Sequence, residues 1–185
     1  YQQVIGSASS VDSNDWSVAT LNTYLNGDYL NSLTSNAQDM IGVALWNLGG
    51  SSTQQGLYAN DYYTFERGTQ VYTGNSTTWI GKVALIYPSD YMYASDLATC
   101  TSFGYNWYTS GCSDTSWLKD DSIYQWTITP LSSVANDVFH VLSDGTVRGH
   151  NNVSHSHGTR PALYLKSGIK ITSGDGSSSN PFILG

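Results

Sequence analysis

Charge is what this chain has least of. Only 11% of its 185 residues are Asp, Glu, Lys or Arg, and Glu66 is its single glutamate. Seven Lys and Arg against fourteen acidic residues leave a net charge of −7, a sign that repels phosphate. Nucleic acid and an anionic membrane surface are thereby excluded as partners, and proteins, glycans and small neutral molecules remain. Apolar runs of membrane-spanning length are also missing, as is a signal peptide ahead of Tyr1. With no initiating Met, the sequence is expected to be an excised piece whose targeting segment lies elsewhere. Cysteine is reduced to two residues, Cys100 and Cys112. Neither CxxC spacing nor a neighbouring His supports a metal site there. A disulfide clipping this short loop is the better reading, worth about 3 kcal/mol in the chain-entropy model. In a Tyr-, Ser- and Asn-rich, Lys-poor chain it points to an oxidising, extracellular compartment.

What the chain does hold is aromatic and small polar residues, with fourteen Tyr and six Trp. Its length suits one domain with its own core. Ser13, Asn14 and Asp15 offer cap oxygens to a first helix whose apolar positions are Val18, Leu21, Tyr24 and Leu25, ending at Gly27. Trp16 reads as a core anchor. A second helix is predicted from Asp28 to Leu33 and a third from a capping Ser35. Strand pattern follows over Gly42 to Asn47, then an amphipathic helix over Leu57 to Arg67. Glu66 and Arg67 form its charged pair. Any acid–base pair would have to be built from aspartates such as Asp90 and Asp96, but Asp90 after Pro88 is better read as a turn cap.

The second half is rich in strands: Val83 to Tyr87, Trp126 to Thr129, Val138 to Leu142, Ala162 to Leu165, Ile169 to Ile171 and Phe182 to Leu184. Asp144-Gly145 signals a hairpin. Helices first and mainly antiparallel strands after make an α+β architecture.

Between Asp137 and Ser167 lies the stretch that carries the functional reading. All four histidines, His140, His150, His155 and His157, fall within it, interleaved with Asn, Ser, Gly and Arg. Apolar segments flank it, so it reads as a polar loop held between two pieces of core. His150, His155 and His157 could surround a metal ion open to water, but no Asp or Glu inside the loop would orient them. A polar surface loop without a ligand is the bland alternative.

The ordered blocks WSVATLNTYLNGDYLNSL, WIGKVALIYPSDYMYA, CSDTSWL, WTITP and TRPALYLKSGIKITSGDGSSSNPFIL resemble pilin-associated domains of gut Firmicutes. Those domains look like members of the C-type-lectin-like superfamily, in the branch of formylglycine-generating enzymes and of the variable proteins of diversity-generating retroelements. The resemblance spans nearly the whole chain. It implies a C-type-lectin-like fold in which a GxRPAL-like strand, here Gly158, Arg160, Pro161, Ala162 and Leu163, closes the domain behind the ligand-binding loop. In the retroelement systems, replaced adenines in AAC or AAT codons yield Asn, His, Ser, Gly, Arg, Val, Asp or Tyr. Lys, Glu, Gln, Met and Trp are out of reach of that process, and every residue from Arg148 to Gly158 is of a type within reach.

The expectation is therefore an extracellular, surface-displayed, non-enzymatic domain that binds a protein or glycan on another cell or host surface. Its face would comprise His140, Arg148, His150, Asn151, Asn152, Ser154, His155, Ser156 and His157, with Trp107 and Tyr108 as aromatic neighbours. Replacing His150, Asn152, His155 and His157 together by Ala should then leave the melting temperature almost unchanged. Formylglycine-type chemistry lacks a suitable cysteine pair, no GxSxG nucleophile is present, and the Glu-Pro-Asn and Trp-Asn-Asp clusters of calcium-dependent lectins are missing. No cofactor is expected. A structural pilin-like subunit, or a zinc protein using the histidines, are the competing readings.

Overall fold

A computed structural model describes residues 4–7, 12–54, 56–95 and 111–185, with only the backbone described for 4–7. Asp96, Cys100, Trp107 and Tyr108 lie outside these residues. Helices and strands mix in an α+β arrangement.

The N-terminal segment begins as strand β1 (Val4–Ser7) and reaches a 3-10 turn at Trp16–Val18, capped by the Asp15 carboxylate accepting from Ser17 N at 2.9 Å. Asn14 is buried beside it, and its amide donates to the carbonyls of Leu131, Val134 and Asp137. One side chain near the start thereby binds three carbonyls from the second half of the chain. The helix that follows does not stop at Gly27. Helix α1 (Thr20–Tyr24) runs through a π-helical turn (Leu25–Tyr29) into α2 (Leu30–Ser32).

A lone glycine weakens a helix without breaking it, and here tertiary bonds compensate. Asn26, in the wide turn, donates to Val83 O at 2.8 Å and accepts from Val83 N at 3.1 Å, docking the helix on strand β4 (Val83–Leu85). Leu21 and Leu25 face the core as expected, whereas Val18 and Tyr24 are exposed. Trp16 is buried, edge-on to Trp79 at 6.1 Å. Helix α3 (Ser35–Met40) is capped by Thr34 rather than Ser35.

Strand β2 (Ala44–Asn47) pairs with β3 (Thr78–Gly81), a strand whose pattern was not read from the sequence. Between them lies α4 (Ala59–Glu66), inside the expected helix. The Pro88 segment forms a helix, α5 (Pro88–Tyr93), instead of a turn. Pro88 occupies its first turn, where a missing N–H costs nothing, and Asp90 Oδ2 accepts from Tyr87 N at 3.1 Å. Helix α6 (Cys112–Thr115) follows, and Cys112 is disulfide-bonded.

The central sheet has the order β1-β8-β5-β6-β7, with β5 (Gln125–Pro130), β6 (Asp137–Val141), β7 (Val147–Asn152) and β8 (Ser156–Thr159). Its neighbours are antiparallel except β5 and β8, which meet in parallel at Gln125 and Gly158. Successive β6 residues serve different cores: Val138 packs with Trp126, Leu85 and Trp16, and Phe139 with Tyr62, Tyr91 and Met92. The Asp144-Gly145 turn forms as expected, with Gly145 at φ +84 and Leu142 N donating to Thr146 O at 2.9 Å. Beyond it, β9 (Pro161–Leu163) pairs with β4, and β10 (Ile171–Ser173) with β11 (Ile183–Leu184).

Candidate ligand-binding face

The histidine-rich stretch is not one loop. It supplies β6, the edge strand β7, a short connection at 153–155, and β8, which lies beyond β5 on the far side of the sheet from β7. Two of the four imidazoles are buried and two are exposed.

His140 and His157 belong to the interior, only 3% and 8% exposed. Their rings stack with centroids 5.6 Å apart, and His157 also lies 4.2 Å from Trp126. Their expected place on the binding face is thus corrected. His140 shares the β6 register with buried Trp126 on one side and Arg148 on the other, so its side chain projects into the sheet's covered face.

Burial holds the His140 imidazole down to about 3, and neighbouring His157 acts in the same direction, while a backbone hydrogen bond with Arg148 opposes them. His157 is lowered too, chiefly by burial. Both rings therefore stand neutral at physiological pH. His157 Nδ1 lies 2.7 Å from the Ser156 carbonyl, which places its proton there and leaves Nε2 a bare lone pair without a partner among the described residues. His140 Nδ1 is likewise buried without a hydrogen bond among the described residues.

The outward group consists of His150, Ser154, His155 and Ser156, all exposed, with half-buried Arg148, Asn151 and Asn152. The His150 side chain is 71% exposed, and its Nδ1 sits 2.9 Å from Asp137 Oδ2. An acidic partner for a loop histidine is thus present on β6, supplied by strand pairing rather than by the loop itself. His155 Nδ1 meets Asn151 Oδ1 at 2.5 Å, and Asn152 Oδ1 accepts from Ser154 N at 2.9 Å. These local bonds order the patch without using most of its outward donors and acceptors.

His150, His155 and His157 consequently do not surround one point. The first leans on Asp137, the second on Asn151, and the third is buried against Trp126. Among the described residues no group of three or more His, Cys, Asp or Glu is placed to hold a metal ion.

Beneath the patch the scaffold is tightly constrained. A Cβ on Gly149 would fall 2.5 Å from the Phe139 ring, so only glycine fits there, and Gly149 N donates to Gln54 O at 2.7 Å across the edge of β7. Val153, in the connection, is buried in the core. Gly149 and Val153 are thus fixed by packing, in contrast to the exposed and half-buried positions around them.

A second constellation escaped sequence reading. Glu66 is fully buried, accepting from Ser89 N and from Ser89 Oγ, with Arg67 Nη1 3.0 Å away. Desolvation pushes its carboxyl up to about 7, although the Ser89 bonds and Arg67 pull the other way. The only hint in the sequence was that Glu66 is the sole glutamate. It caps α5 from α4 and has no exposed surface through which a substrate could reach it. Asp90 is raised by burial and held by its Tyr87 bond, in keeping with a capping role.

No family model matches the chain, and no curated protein or solved structure is similar enough to it to count as a match.

Proposed function

We propose that this is an extracellular ligand-binding domain of C-type-lectin-like fold, non-enzymatic and displayed on a pilus or cell surface, which recognises a protein or glycan through the outward side chains of β7 and the 153–155 connection. The observation that carries the reading is the segregation within the polar stretch. Arg148, His150, Asn151, Asn152, Ser154, His155 and Ser156 reach solvent, while Gly149 and Val153 between them, and His157 directly after, are held by core packing. Such a patch offers interchangeable hydrogen-bonding groups on a frame that does not depend on their identity. The GxRPAL-like segment supports the fold assignment, since Gly158 to Leu163 runs directly from β8 into β9 behind the patch.

Retroelement diversification is the proposed source of the patch. The nucleotide sequences of strain variants test it. Non-synonymous differences are expected at codons 148, 150, 151, 152, 154, 155 and 156, beside a near-identical template repeat, with codons 140, 149 and 153 unchanged. Differences spread evenly over exposed and buried codons would remove the support.

A further inference from the structure

A groove of about 450 Å³ lies between α5, the segment after α6 and the start of β9, and shares no residue with the β7 face. Its floor is apolar, with Ile86 and Leu118 buried in it. Trp117 stands on its rim with 73% of its surface open to solvent. This exposure is not fraying, because the flanking Ser116 and Leu118 are both buried, Ser116 Oγ donates to Tyr91 O at 3.0 Å, and Trp117 N donates to Ala94 O at 3.2 Å. Exposed Tyr93 lines the same groove, and its ring meets that of Tyr63 edge-on at 6.4 Å.

Two side chains of opposite charge complete the lining. Asp90 is held by its Oδ2 on Tyr87 N, and its Oδ1 has no partner among the described residues. Arg160 is held by Nη1 on the Leu118 carbonyl at 2.5 Å, and the remaining guanidinium N–H groups have no partner among the described residues. The two make no ion pair with one another, so each keeps hydrogen-bonding capacity while the groove as a whole is neutral. An apolar floor, an open aromatic face, one acceptor and one multiple donor suit a ligand with an apolar face and a rim of groups that both donate and accept. A chair-form sugar ring has that character: axial C–H groups on one face and hydroxyls around the edge.

We infer that this groove binds a neutral pyranose ring, with Trp117 stacked on its C–H face, Asp90 accepting from its hydroxyls and Arg160 donating to them. The probes are the methyl pyranosides of glucose, galactose and mannose and free N-acetylglucosamine, titrated into the intact domain and followed by saturation-transfer NMR. At least one is expected to bind with half-saturation in the millimolar range, as a monosaccharide-sized ligand should. Trp117→Ala is expected to weaken that binding at least tenfold without unfolding the protein, and Arg160→Gln to weaken it as well. His150→Ala/His155→Ala should bind the sugar as the parent does, which separates this site from the β7 face. The inference is overturned if none of the four sugars binds, if binding survives Trp117→Ala, or if free glycine or phenylalanine binds while the sugars do not. It also falls if acrylamide quenches the parent no more than Trp117→Ala, since the groove would then be closed in solution.

Discussion

A neutral imidazole in the core makes a protein sensitive to acid in a way that an exposed one does not. In the unfolded chain His140 takes up a proton near pH 6.5, but in the folded state only near 3. Between these values the unfolded state holds more protons, so the stability due to this residue is complete above pH 6.5 and is lost as pH falls towards 3. The slope is about 1.4 kcal/mol per pH unit for one proton, and His157 acts in the same direction. His140→Gln, which cannot charge, is expected to flatten the decline in urea midpoint between pH 6 and pH 4. The same distinction predicts different costs for two neighbouring substitutions. His157→Ala removes a ring packed on Trp126 and should cost about 2 kcal/mol or more, lowering the melting temperature by several degrees, whereas His155→Ala should stay within about 0.5 kcal/mol. The expectation that His150, Asn152, His155 and His157 could all become Ala at no cost is therefore corrected. A variant sparing His157 is the suitable probe of the patch.

At the scale of elements, helix α4 is fastened to α5 by one buried carboxyl. Glu66 releases its proton near 7 in the folded state and near 4.5 when unfolded. Over that interval the folded state holds more protons, so this contribution is complete below pH 4.5 and lost as pH rises through 7, opposite in sense to His140. Glu66→Gln should abolish the dependence between pH 4.5 and 7 in denaturant titrations, while Glu66→Ala leaves Ser89 N and Oγ unsatisfied and should cost about 3 kcal/mol at any pH. Elements also show where local signals were sufficient. The Asp-Gly turn, the buried run at β4 and the core role of Trp16 follow from turn chemistry, apolar continuity and burial tendency, none of which needs distant residues. Gly27 and Pro88 misled for the opposite reason. Whether a glycine ends a helix depends on what its neighbours bond to, and Asn26 finds its partners at Val83, 57 positions along the chain. Whether Pro-Ser-Asp forms a turn or starts a helix depends on a cap, and here part of that cap is Glu66 from another helix.

Across the whole molecule, stability rests on joining segments far apart in sequence. Strand β1 pairs with β8 and Asn14 binds carbonyls near Asp137, so the first and last thirds of the chain close on one another. Asn14→Ala removes its three side-chain bonds, leaving the Leu131 and Asp137 carbonyls only their backbone donors, and should cost about 2 kcal/mol in thermal unfolding. Reducing the disulfide at Cys112 should cost about 3 kcal/mol, measured as the drop in melting temperature on adding dithiothreitol.

Composition alone determined that the surface would be weakly charged, acidic and aromatic, and periodicity alone placed most strands of the second half. Those are local or additive properties, and one residue type or a short run suffices to state them. Which histidines face water was decided only by the tertiary structure. In a strand, the side that becomes interior depends on what covers the sheet and on register, and the Trp126–His140–Arg148 row joins residues whose spacing along the chain gives no sign that they meet.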